Sequence, residues 1–212
     1  MNIFFIKIDK FLQHIEKSSI TKEFSSPKRC IEYSLGRFLT MFVAKNFYNL
    51  ENQEIIVNNK KPKFSNSNIH FNISHSKNIV AVAFDNYDIG LDFELIKDRN
   101  IEKLSNYLKK DFQSLTEFYQ YWTCFEAQYK SKPQNLTSFK FEDYMVSVST
   151  FSEIKTKLKI YEVEIPKNKT NPNELINLKQ VNDSNKNDNA VEINEINTAS
   201  LEFLSPLALK IE

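Results

Sequence analysis

The chain is almost without glycine. Two, Gly36 and Gly90, occur in 212 residues, where ordinary usage of ~7% would give about 15. That shortage excludes the glycine-rich turns that wrap phosphate in backbone N–H groups: the sequence contains no GxGxxG and no GxxxxGK[ST]. A nucleotide bound by such a chain has to be held by side chains or through a metal ion.

Charge narrows the choice further. Lys and Arg number 28 against 27 Asp and Glu, a net charge of +1, so the basic excess of a non-specific nucleic-acid binder is missing. Hydrophobic residues make up 41%, with 18 Phe and 9 Tyr. At this length about 70% of the unfolded surface can be buried, which suits one domain or two small packed halves. Cys30 and Cys124 form no CxxC pair, so neither a disulfide framework nor a zinc site is expected, and a reducing, cytoplasmic location is the simple expectation. Lys7, Asp9 and Lys10 interrupt the apolar N-terminus, and there is no apolar run of ~18 residues, so neither a signal peptide nor a membrane span is expected.

Hydrophobic periodicity orders the chain. Residues 2–8 read as a strand. Ser26 and Pro27 open an amphipathic helix over about 27–47, with Ile31, Leu35, Phe38, Leu39, Phe42 and Val43 on one face. The segments 70–74, 79–84 and 89–95 read as neighbouring antiparallel strands. Helices follow over about 101–110 and 114–131, ended by Pro133. Strands are expected again at 138–141, 144–150 and 157–165. Beyond about 166 the chain turns Asn-, Lys- and Glu-rich, and residues 182–198 read as weakly ordered or peripheral.

Four groups of residues can carry chemistry. Asp92 and Glu94 lie two apart on a strand and so share a face. Two carboxylates side by side repel unless a hard cation such as Mg²⁺ neutralises them. Trp122, Glu126 and Lys130 lie along one helix stripe at four-residue spacing, which offers a metal-facing or basic carboxylate and a phosphate-binding ammonium. Ser74, His75 and Ser76 follow a strand and can donate hydrogen bonds to phosphate. Lys60-Lys61-Pro62 is a candidate phosphate clamp. Each group taken alone reads more readily as a solvated strand face, helix face or turn than as a site, and no third member makes Ser74 and His75 a hydrolase triad.

Their order is more specific. Lys61-Pro62, then HFNISHS (70–76), IGLDFE (89–94) and WTCFEAQYK (122–130) together resemble the larger, pseudo-dimeric class of 4′-phosphopantetheinyl transferases over about residues 27–165. The resemblance implies an α+β fold of two similar halves, each a long helix packed on a small antiparallel sheet. The halves would span residues 1–96 and 97–166, with a polar tail at 167–212. It implies a monomer of pseudo-two-fold symmetry that acts as a holo-[acyl-carrier-protein] synthase. Such an enzyme moves 4′-phosphopantetheine from coenzyme A to a serine of an acyl or peptidyl carrier protein in fatty-acid, polyketide or peptide synthesis. Neither nucleic acid nor membrane is an expected partner.

The family's roles map onto individual positions. Asp92, Glu94 and Glu126 match the Mg²⁺ ligands, and Glu126 also the base. Lys130 matches the lysine that stabilises charge on the transferred phosphate. Ser74 and His75 match contacts to coenzyme A phosphates, Lys61 a lysine near its nucleotide, and Arg29 is a candidate for the arginine that meets the nucleotide phosphate, with Arg37 the other. Gly90 would leave room beside the metal. Lys103, Lys109, Lys110 and Lys132 are candidates for a basic face toward an acidic carrier. Phe125 stands where the family usually has lysine and Lys60 where it has glycine. Phe125 and the irregular register of Arg29 and Arg37 support an alternative, a coenzyme A or carrier-binding module without turnover. A third reading is an unrelated Mg²⁺-dependent phosphohydrolase.

Overall fold

In the computed structural model, residues 1–12, 26–58, 61–131, 135–151, 158–164 and 177–181 are described. Along the chain run β1 (Asn2–Lys7), α1 (Ile8–Leu12), α2 (Pro27–Tyr48), β2 (Ile55–Asn58), β3 (Lys61–Phe64), β4 (His70–Ser76), β5 (Ile79–Asp85) and β6 (Ile89–Leu95). Then come α3 (Ile101–Leu108), α4 (Leu115–Lys130), β7 (Asn135–Phe141), β8 (Tyr144–Thr150), β9 (Lys159–Glu164) and β10 (Asn177–Val181).

Strands β1 and β5 fix the order of the layers, because both are apolar on two faces. Side chains alternate along a strand. Phe4, Ile6, Val80, Val82 and Phe84 therefore face one core, which they share with Leu35, Phe38, Leu39 and Val43 of α2. Ile3, Phe5, Ala81 and Ala83 face a second core, filled from the other side by Ile89, Leu91, Phe93, Val146 and Val148. A third cluster, Phe112, Phe118, Tyr119 and Met145, joins α4 to β8. The layers thus run helix, sheet, sheet, helix.

The sheets are ordered β10-β9-β1-β5-β4 and β6-β8-β7, with β2-β3 as a separate hairpin. The expected mixed α+β class is met, with long helices on small sheets. The two sheets are unequal, however, and β1 and β9 pair in parallel. The expectation that 70–95 forms three neighbouring strands is corrected: β4 and β5 pair, but β6 pairs with β8. The reason is that Leu91 and Phe93 cover the apolar face of the first sheet, which an extra edge strand would have left bare. Residues 182–198, Lys60 and Lys132 lie outside the described residues.

Gly36 and Gly90 are not spent on turns. Positive φ is adopted by Asn49, Asn52, Lys77, Lys109 and Glu142, and by neither glycine. Asn49 and Lys109 end α2 and α3 in the left-handed conformation, a place glycine usually takes. Gly36 and Gly90 instead mark close approaches. A Cβ on Gly36 would lie 3.0 Å from Ile73 Cγ2, while one on Gly90 would collide with the carbonyl oxygen of Ala127 in α4. Gly90 therefore makes room for the backbone of α4, not for space beside a metal.

A backbone carbonyl cannot swing aside as a side-chain tip can. Gly90→Ala is therefore expected to destabilise by about 3 kcal/mol or more through overpacking. Gly36→Ala is expected to cost less than about 1 kcal/mol, because gained helix propensity offsets the crowding. Urea unfolding midpoints check both, and equal midpoints for the two variants would contradict this use of the glycines.

Candidate active site

The site begins at a strand edge. In β6, one edge pairs with β8. The other meets side chains of β4. Asn72 Oδ1 accepts from Leu91 N, Ser74 Oγ from Phe93 N and Ser76 Oγ from Leu95 N, each at 3.1 Å. Side-chain oxygens at alternate positions of β4 thus do the work of a neighbouring strand's carbonyls for the Leu91, Phe93 and Leu95 N–H groups.

Each serine hydroxyl has one hydrogen of its own to give. Ser74 donates it to Asp92 Oδ1 at 3.2 Å, and Ser76 to Glu94 Oε2 at 2.7 Å. The bonds that fix the strand therefore also aim the two carboxylates.

Helix α4 closes the site from above. Ser114 caps its start by accepting from Glu117 N. Thr123 bonds to Ser147 of β8, and Ser131, just past the helix end, to Ser149. With Gly90 beneath it, α4 lies close enough for Lys130 Nζ to donate to Asp92 Oδ1 at 2.8 Å and to Leu91 O at 2.9 Å. Two turns earlier, Trp122 shares a cavity of about 260 Å³ with Glu94, Lys97, Arg99, Leu104 and Tyr107. Glu126 sits on the same stripe between them and is partly buried.

The electrostatics are unbalanced. Asp92 is 5% exposed, and its Oδ2 is buried without a hydrogen-bond partner. Burial pushes the Glu94 carboxyl above the ordinary carboxylate range; the hydrogen bond from Ser76 opposes this, and the charge of Asp92 adds to it. Lys130 pairs with Asp92, and Lys97 and Lys130 both lie near enough to Glu94 to act on its charge. A pair of carboxylates, one of them with an orphaned oxygen, fits a hard divalent cation. Asp92 and Glu94 would hold it, with Glu126 as the third ligand. Among the described residues, no three His, Cys, Asp or Glu side chains already converge closely enough to grip an ion.

The remaining candidates are dispersed. Ser74 is 4% exposed, its hydroxyl committed to β6. His75, next in sequence, projects from the opposite face of β4 toward α2, with Nδ1 3.4 Å from Glu32 Oε2. Lys61 is bound at the start of β6, to the Asp88 carboxylate and to Ile89 O. Arg29 is exposed in the first turn of α2. Arg37 is tied to the Tyr33 hydroxyl and to Ile55 O. Phe125, 51% exposed, stacks on Trp122 with centroids 6.3 Å apart. Lys103, Lys109 and Lys110 are exposed. Cys30 is buried and Cys124 partly buried. Among the described residues, no helix is long and apolar enough to cross a membrane. The sequence reading passed over Asn72, whose alternation with Ser74 and Ser76 was the available signal. It also passed over Lys97 and Arg99, which carry none.

No protein-family model matches the chain. The 4′-phosphopantetheinyl transferase Sfp of Bacillus subtilis (strain 168) is 27% identical over 166 residues, covering 71% of this chain and 74% of that relative. The 4′-phosphopantetheinyl transferase gsp of Aneurinibacillus migulanus is 25% identical over 144 residues, covering 59% of this chain. Only 61% of that second relative's length is matched. The chain is similar to Sfp-like 4′-phosphopantetheinyl transferases, in agreement with the order of its motifs.

A raised Glu94 pKa means that the folded protein binds its proton more tightly than the unfolded chain does. The folded state is then favoured while Glu94 is protonated, and that advantage is lost as pH rises through the folded value. Glu94→Gln, which removes the buried charge, should melt above wild type at neutral pH, with the gap closing by about pH 4. Melting curves across this range decide it; superimposable curves at every pH would contradict a destabilised carboxylate.

Proposed function

We propose that the protein transfers the 4′-phosphopantetheinyl group of coenzyme A to a serine hydroxyl of an acyl or peptidyl carrier protein, in the presence of Mg²⁺. The observation that carries this reading is the pair of buried Asp92 and half-buried Glu94. It has an orphaned oxygen and lies under Lys130, on the strand that bears the transferase-like IGLDFE motif.

Asp92, Glu94 and Glu126 would hold Mg²⁺, which would supply Lewis-acid chemistry to the phosphoryl group. The chain's own residues do the rest. Glu126 takes the proton of the carrier serine. The serine oxygen forms the new bond to the β-phosphorus, and the bond to adenosine 3′,5′-bisphosphate breaks. Lys130, already aimed at Asp92, places a fixed positive charge where negative charge grows on the phosphoryl oxygens. Leu104, Phe118 and Trp122 give the uncharged arm of coenzyme A an apolar wall, and Lys97 and Arg99 add cations to the same cavity. Exposed Lys103, Lys109 and Lys110 offer an acidic carrier a basic approach. The repeated helix-on-sheet unit supports reading the molecule as a pseudo-two-fold monomer.

The second reading is a binding module for coenzyme A or a carrier, without turnover. It draws on Phe125, which puts an exposed ring where the family has a cation, and on carboxylates that are not drawn together.

Incubation with Mg²⁺, coenzyme A and an apo carrier protein should add the mass of one phosphopantetheinyl group to the carrier. Intact-mass spectrometry reads this directly. Chelation of the metal should stop it, and Asp92→Ala and Glu126→Ala should each lower the rate by about a hundredfold or more. Carriers left unmodified at high enzyme concentration would contradict the transferase reading, and coenzyme A binding without transfer would favour the module.

A further inference from the structure

Glu32 is a buried carboxylate that the reaction described above does not use. It lies on the inner side of α2 at 4% exposure, and a charge buried so deeply needs partners. Among the described residues it has two. Oε1 lies 3.4 Å from Lys28 Nζ, one helical turn earlier, and Oε2 lies 3.4 Å from His75 Nδ1. The His75 side chain itself is 51% exposed. One ring nitrogen therefore faces inward to a carboxylate, and the other lies across the ring from it.

Resting on the transferase reading, we propose that Glu32 is a positioning residue that holds the His75 ring with Nδ1 inward, so that in the doubly protonated ring Nε2–H points outward and donates to a phosphate oxygen of coenzyme A. The 3.4 Å approach is an ion-pair contact and not a hydrogen bond; a carboxylate has no hydrogen to donate, so its charge favours the forms of the ring that carry hydrogen on Nδ1. Fixing one nitrogen of an imidazole fixes what the other presents, as in the carboxylate–histidine pairs that orient metal ligands. When the ring is protonated, Nε2–H becomes a charge-assisted donor to an oxyanion. Lys28, against the second oxygen of Glu32, offsets the negative charge that would otherwise repel that anion. His75 is thereby oriented from α2, although its neighbours in the sequence serve the carboxylates on the far side of β4.

The test has two independent parts. In the free protein, ¹⁵N-resolved NMR of His75 should show the Nδ1–H form in wild type and a shift toward Nε2–H in Glu32→Ala. An unchanged tautomer would overturn the role of Glu32. Calorimetry with coenzyme A should show about tenfold weaker binding in both Glu32→Ala and His75→Ala, with the double variant no weaker than His75→Ala alone. Additive losses, or unchanged affinity in His75→Ala, would overturn the coupling to phosphate. Glu32→Gln keeps the size of the side chain should alanine prevent folding. It should weaken binding by a smaller factor, about threefold, and wild-type affinity and tautomer in this variant would also overturn the proposal. Failure of the transferase reading would appear differently, as unmodified carrier protein while both results on His75 stand.

Discussion

An exposed strand edge leaves a row of backbone donors and acceptors that must be met. In this protein the edge of β6 is met by Asn72, Ser74 and Ser76, whose oxygens accept from Leu91, Phe93 and Leu95 N–H. The seam between the two sheets is therefore stitched by side chains. Because the serines also donate to Asp92 and Glu94, the bonds that join the sheets and the bonds that aim the site belong to one chain. That explains polar residues at every second position of a strand whose other face, Phe71 and Ile73, packs under α2.

The same arrangement carries an electrostatic cost. Burying Asp92 beside a half-buried Glu94 is costly, and Lys130 offsets part of that cost. A buried ion pair of this kind rarely adds stability. Among the described residues Asp92 Oδ2 has no hydrogen-bond partner, which is the feature the proposed cation would answer. Gly90 belongs to the same logic. Without a side chain there, α4 sits directly on β6 and Lys130 reaches Asp92. The two glycines present serve packing, not turns.

Much of this was legible in the sequence. Periodicity placed α2 and α4 to within a residue or two, and the order of the motifs placed Asp92, Glu94 and Lys130 in one site. The partner of β6 was not legible, because alternation reveals that a strand has one apolar face but not which sheet it covers. The parallel pairing of β1 with β9 is a long-range contact that no local pattern encodes. Ser74 and His75, grouped as neighbours, lie on opposite faces of β4 by the two-residue period alone, and that much could have been read beforehand. Glu32 looked like an ordinary helix-surface carboxylate until the fold buried it against His75.

The claim that side-chain oxygens hold the site strand is tested most directly by amide hydrogen exchange in Ser74→Ala. Phe93 N–H should be protected in the wild type and lose that protection in the variant, while amides inside the β1–β5 pairing, such as Val82, keep theirs. A Phe93 amide that exchanges equally slowly in both proteins would contradict the account.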